Sequence, residues 1–304
     1  CGCDPNRYPS ELRNTAERDT SMSDHADDHG KGNHPYHMVD PSPWPIVGSI
    51  GGLLMAVGLI IFMHPSVFGL GLEPFFKTIG LWVVAPGLIV AMMTMLGWWR
   101  DVIDEATFQK MHTSVVQISL RYGMMLFIIS EVMFFAAWFW GFFDASLYPK
   151  EATGGVWPPA GVEVFNPFDL PLLNTLILLS SGFTVTWAHH DILAGKMQHA
   201  AKMIGFTVML GIIFSLLQAF EYAHAPFGFR DGIYSSVFYM ATGFHGFHVI
   251  IGTLFLGVCW WRCSKEHFTK DHHFGFEAAA WYWHFVDVVW LFLFCFVYVW
   301  GTFA

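Results

Sequence analysis

The stretch LFIISEVMFFAAWFW, Leu126 to Trp140, holds fourteen apolar or small residues and one carboxylate, Glu131. It lies within a longer apolar run, Arg121 to Leu147, which exceeds the roughly 20 residues a helix needs to cross a bilayer. Six further runs flank it: Trp44 to Met63, Ile79 to Trp99, Leu170 to His189, Met203 to Ala223, Ile233 to Trp261 and Glu277 to Trp300. Composition agrees, because 54% of the 304 residues are hydrophobic and 13% are charged, against about 45–50% and about 25% in soluble domains. The runs do not alternate in polarity as barrel strands do. The reading is an all-α polytopic membrane protein with seven transmembrane helices spread over residues 44–304, preceded by a polar leader over residues 1–43.

Short connections rich in Pro, Gly and charge separate the spans. Those on the side of the N-terminus hold Arg100, Lys110, Arg121, Lys196, Lys202, Arg262, Lys265 and Lys270; the opposite ones hold Lys77, Lys150 and Arg230. Eight against three places the N-terminus inside and the C-terminus outside. The leader has no apolar core of the kind a secretory signal carries, and Met22 reads as a start within it. It contains His25, His29, His34 and His37 in a polar, solvated setting. No presequence for mitochondrial import is expected, which favours a bacterial inner membrane over a mitochondrial one.

Cysteine spacing points away from zinc and iron–sulfur sites, since no CxxC pair occurs. CWWRC, Cys259 to Cys263, has the gap of a binuclear copper loop but not its setting, so its thiols read as interior residues. No metal ligands are assigned. The informative polar groups lie inside the spans, where each must be paired or neutral. At 1.5 Å per residue from the inner ends, Glu131 and Asp287 lie about 15 Å deep, His284 about 10 Å and His248 about 20 Å. His245 and His248 share one helix face, as do His284 and Asp287. A buried polar cluster of Glu131, His245, His248, His284 and Asp287 is therefore expected, joining the third, sixth and seventh spans. Residue types leave open whether such a cluster only holds helices in register or also has a chemical task. Retinal binding is disfavoured because no Lys follows Lys270, and a haem clamp because His245 and His248 lie on one face.

Six strings then add a resemblance: SEVMFF (Ser130 to Phe135), VWPPAGVEVFNP (Val156 to Pro167), PLLNTLILLSSGFTVTWAHH (Pro171 to His190), QAFEYAHAPF (Gln218 to Phe227), FYMATGFHGFHVIIGTLFL (Phe238 to Leu256) and HHFGFEAAAWYWHFVDVVWLFLF (His272 to Phe294). In this order, and over Trp44 to Gly301, the chain resembles subunit III of the haem-copper cytochrome c oxidases. The resemblance implies a hairpin of the first two helices, separated by a lipid-filled V-shaped cleft from a five-helix bundle. It implies no catalytic centre, haem or copper in this chain; those belong to subunits I and II, which oxidise cytochrome c and pump protons. The expected partners are subunits I and II and phospholipids, with cytochrome c indirectly and no nucleic acid. A ubiquinol oxidase subunit III is the alternative.

Glu131 matches that family's carbodiimide-reactive membrane carboxylate, and its role is expected to be structural or lipid-linked. GWWRD, Gly97 to Asp101, sets Trp98 and Trp99 at the interface beside Arg100, a pairing suited to a phosphate headgroup. His112, Arg262, His272 and His273 lie on the same side and complete the lipid-binding candidates. His34 and His37, just before the first span, are candidates for a proton-collecting antenna.

Overall fold

Each apolar run becomes a helix, and most helices continue past the run that announces them. In the computed structural model, which describes residues 36, 40–67, 69, 71–151 and 154–303, the first span is α1 (Trp44–Met63). The second is composite: α2 (Glu73–Ile79), a 3-10 segment (Gly80–Val84) and α3 (Ala85–Thr107). Then follow α4 (Ser114–Leu147), α5 (Leu170–Leu193), α6 (Met197–Ala223), α7 (Ile233–Ser264) and α8 (Phe274–Phe292), the last continued by a π-helical stretch (Leu293–Trp300) and a closing turn. Seven helices are long and apolar enough to cross a membrane. The antenna candidates His34 and His37 lie outside the described residues, with His25 and His29.

Proline in the first turn starts α1, α2, α3 and α5, where its missing N–H costs no hydrogen bond. The helices outrun the expected spans where polar residues follow: α3 reaches Thr107 and not Trp99, α4 begins at Ser114 and not Arg121, α6 at Met197 and not Met203. A hydropathy window reports only the stretch that needs lipid, whereas the backbone keeps its own hydrogen bonds beyond it.

The chain divides into two compact units, one ending at Val116 and one beginning at Gln117. In the first, α1 and α3 run antiparallel along a seam of glycine. A Cβ on Gly58 would lie 2.9 Å from the Val83 carbonyl oxygen, and one on Gly51 3.0 Å from the Ala91 nitrogen. A Cβ on Gly87 would run into the Met55 backbone nitrogen, and one on Gly97 into the Trp44 ring. Between lipid-facing helices that gain nothing from hiding apolar surface, backbone approach of this kind is the available adhesive. Trp44, seated over Gly97, donates its indole N–H to Asp101.

The second unit packs α4 to α8 around large buried side chains, among them Trp283, Trp290, Tyr298, Phe142, Phe214, Phe238 and Phe276. Its centre is a pair of indole latches: Trp283 donates to Ser181 Oγ at 2.8 Å and Trp290 to Thr175 Oγ1 at 2.9 Å. Trp283 and Trp290 are two turns apart on α8, and their acceptors descend α5 in the opposite sense, so the two bonds fix both direction and register. Thr184 and Thr207 join α5 to α6 at 2.7 Å. In the π stretch Leu293 and Tyr298, five residues apart, are both buried, as the wider turn requires.

The seam predicts a contrast between two glycines. Gly87→Ala lowers the stability of the detergent-solubilised protein by about 1–3 kcal/mol, the usual cost of overpacking, read as a fall in thermal midpoint. Gly52→Ala, at a position with nothing within 4 Å, leaves the midpoint in place.

Candidate functional site

Glu131 lies on α4 and meets α7: His248 Nε2 is 2.8 Å from Glu131 Oε2. His248 is 7% exposed, closed in by the rings of Phe135 at 5.0 Å, Phe134 at 6.0 Å and Tyr282 at 6.2 Å. Its Nδ1 is 2.7 Å from the Phe244 carbonyl oxygen. A carbonyl only accepts, so Nδ1 carries a hydrogen and donates it. One further hydrogen must then occupy the Nε2···Oε2 contact, carried either by the carboxyl or by the ring. The pair can shift that proton between its two partners, and on the histidine side the path ends at a backbone oxygen.

The remaining members of the expected cluster turn elsewhere. His245, wholly buried, points Nε2 at the Val286 carbonyl oxygen at 3.2 Å and packs against Trp290 and Phe214. His284 contacts Asp287 at 3.4 Å and Thr186 of α5 at 3.1 Å. Gly182 of α5 leaves the space that Asp287 Oδ2 fills. Five residues expected as one cluster are thus three arrangements: Glu131 with His248, His245 on a backbone carbonyl, and His284 with Asp287. The cause is facing. Trp283, Asp287 and Trp290 fall at i, i+4 and i+7, one stripe of α8, and that stripe lies against α5. Similar depth along the helices does not turn side chains toward one another.

Another carboxylate, Glu221, is buried where the sequence offers little warning, because it lies near the end of α6, where a charge reads as a loop residue. It is 2% exposed, accepts from Tyr298 Oη at 2.6 Å and from Gln218 Nε2 at 3.2 Å, and Asn174 extends the network to α5. At the opposite end of the bundle Arg121 grips Glu277 through Nε at 2.8 Å and Nη2 at 3.0 Å. Gln117 Nε2 there donates to His272 Nδ1 at 2.9 Å. In the loop between α7 and α8, burial first, and then the positive charges of Arg262 and Lys265, draw the His267 pKa below its ordinary value.

The lipid-binding candidates differ in exposure. Trp98 and Trp99 are exposed, at 44% and 57%, Arg100 is exposed beside them and His112 is half-buried. His272 is also exposed. Arg262 and His273 are buried, at 9% and 6%; the Arg262 guanidinium lies 4.5 Å over the Phe268 ring, and His273 is turned to Glu277. Both side chains thus pack against protein groups, where the expectation from loop position had them facing a headgroup. Glu131 is intermediate in exposure.

Seven helices long and apolar enough to cross a membrane, those of the second unit linked by buried polar side chains, are the mark of an integral membrane protein. The model of the family described as cytochrome c oxidase subunit III matches residues 34–302, and the chain belongs to that family. It is 57% identical over 268 residues to the cytochrome c oxidase subunit 3 of Arabidopsis thaliana, covering 88% of this chain and 97% of that one. With the subunit 3 proteins of Syncerus caffer and Cyprinus carpio it shares 54% and 55% identity over 269 residues, 88% of this chain and 98% of each relative. Membership implies a place in a terminal oxidase complex and, with the seven spans, points to an inner membrane.

Substitutions at residue 131 separate hydrogen bonding from proton content. Glu131→Gln keeps a donor for His248 Nε2 and holds the thermal midpoint; Glu131→Leu leaves that nitrogen buried without a partner and costs about 1–3 kcal/mol, measured by thermal unfolding in detergent.

Proposed function

We propose that this chain is the non-redox subunit III of a proton-pumping cytochrome c oxidase. It holds phospholipid and supports proton uptake and the stability of subunit I, while subunits I and II carry haem, copper and electron transfer. The observation that carries the reading is the extent of likeness: 54–57% identity over 97–98% of relatives that bear the cytochrome c oxidase name. That name favours cytochrome c over ubiquinol as the source of electrons.

Within this reading the Glu131–His248 pair is structural. A pumping route needs each group to receive a proton on one side and release it on another. His248 has committed Nδ1 to the Phe244 carbonyl, which has no proton to hand on. Phospholipid fits the Trp98–Arg100 segment, where exposed indoles sit at headgroup depth beside a guanidinium able to bind phosphate. His112 and His272 add further partners for an anionic headgroup. The excess of Lys and Arg on the side of the N-terminus supports an orientation with that end inside, cytoplasmic in a bacterial inner membrane. His34 and His37, ahead of the first span, suit proton collection near neutral pH.

Two measurements test this. Purification in mild detergent through a tag on this chain yields a haem absorption spectrum and oxidation of reduced cytochrome c; a stable, haem-free protein overturns the assignment. In vesicles containing the intact, lipid-replete complex, Glu131→Gln leaves the number of protons pumped per electron unchanged. Abolished pumping with normal haem content would show that Glu131 itself carries the proton.

A further inference from the structure

At the end of the bundle where α5 finishes and α8 begins, His189, His273 and Glu277 bring one ligand atom each to within 4.8 Å of one another. Among the described residues no other three His, Cys, Asp or Glu side chains converge in this way. We propose that these three residues bind one divalent transition-metal ion of the zinc class, bridging the end of α5 to the start of α8.

Proton bookkeeping at His273 is the first support. Its Nδ1 is 3.0 Å from the Thr269 carbonyl oxygen and must donate to it. In the neutral ring Nε2 therefore presents a lone pair. That atom is buried, has no hydrogen-bond partner, and lies 3.2 Å from Glu277 Oε1, itself an acceptor. Two lone pairs face each other inside the protein, an arrangement that a cation between or beside them relieves. A ring nitrogen fixed on a backbone carbonyl, with the other free, is also the usual outer support of a metal-binding histidine.

Glu277 is oriented in advance. Arg121 holds both its oxygens from one edge, yet a carboxylate has about four lone-pair directions, so an ion and a guanidinium can share it. Arg121 is 37% exposed on its side chain, and water screens its repulsion of a nearby cation. His189 supplies the third donor. Its ring stands edge-on to His273 at 5.5 Å and to Phe276 at 5.8 Å, and it is only partly buried, which gives an ion and a water ligand a way in.

The dimensions suit zinc. Bonds of about 2.0–2.1 Å separate tetrahedral ligands by about 3.4 Å, so closure needs side-chain movements of an ångström or so. Two imidazoles and a carboxylate, with a fourth position for water, match that ion's preferences, with Cu²⁺ the stronger competitor by general affinity order. A proton on His273 Nε2 is the rival way to satisfy Glu277. It would not require His189 to converge on the same point.

Crystals of the intact oxidase complex soaked in zinc chloride provide the direct test, by anomalous scattering at the zinc edge. A peak within bonding distance of all three side chains is expected; its absence there overturns the proposal. Titration of the purified complex with zinc chloride then shows a site weakened about tenfold or more in His273→Gln and in His189→Gln, and unchanged in His224→Gln, an exposed histidine outside the trio. The half-buried His189 serves if His273→Gln fails to assemble. Equal zinc binding in all these proteins would sink the assignment.

Discussion

Hydrocarbon offers an indole N–H nothing to bond to, and the contact of α8 with α5 is arranged around that fact. Trp283 and Trp290 bury the largest side chains of α8 and would each strand a donor, at a cost of kilocalories in an apolar medium, were Ser181 and Thr175 not opposite them. Two hydroxyls on α5 therefore decide where α8 sits. Once that register is set, Asp287 arrives opposite Gly182, whose missing side chain leaves room for it. His245 is likewise carried to the Val286 carbonyl.

The two units solve the same problem by different means. The α1–α3 pair uses almost no polar chemistry along its seam, and glycine lets the backbones touch. The α4–α8 bundle uses aromatic volume and short polar links: Thr184 with Thr207, Tyr298 with Glu221, Glu131 with His248. Hydrogen bonds between membrane helices are individually modest, because the separated helices also find partners. Their value lies in direction, since van der Waals packing between smooth apolar faces tolerates sliding and a bonded pair does not.

The number of spans and their rough positions were legible in the sequence because length and apolarity are what a bilayer selects. The ends were not, because helices such as α4 continue through Gln117 and Arg121 in polar residues that a hydropathy window discounts. The meeting of Glu131 with His248 could be anticipated from depth. The departure of His284 and Asp287 could have been read from the i, i+4, i+7 alignment of Asp287 with the two tryptophans. Glu221 and the His189–His273–Glu277 group were hidden by position: each lies at a helix end, where an ionisable side chain has an ordinary reason to be present. Only the fold turns those ends inward.

The Glu131–His248 contact has an electrical consequence. With one hydrogen between them the two side chains sum to zero charge whichever of them holds it. Transfer across a 2.8 Å hydrogen bond displaces the proton by less than about 1 Å of a hydrocarbon layer about 30 Å thick, so 100 mV does work on it of only about 0.1 kcal/mol or less. The pair is thus nearly blind to the voltage of an energised membrane, and its hydrogen bond holds α4 to α7 equally well whether the membrane is charged or at rest.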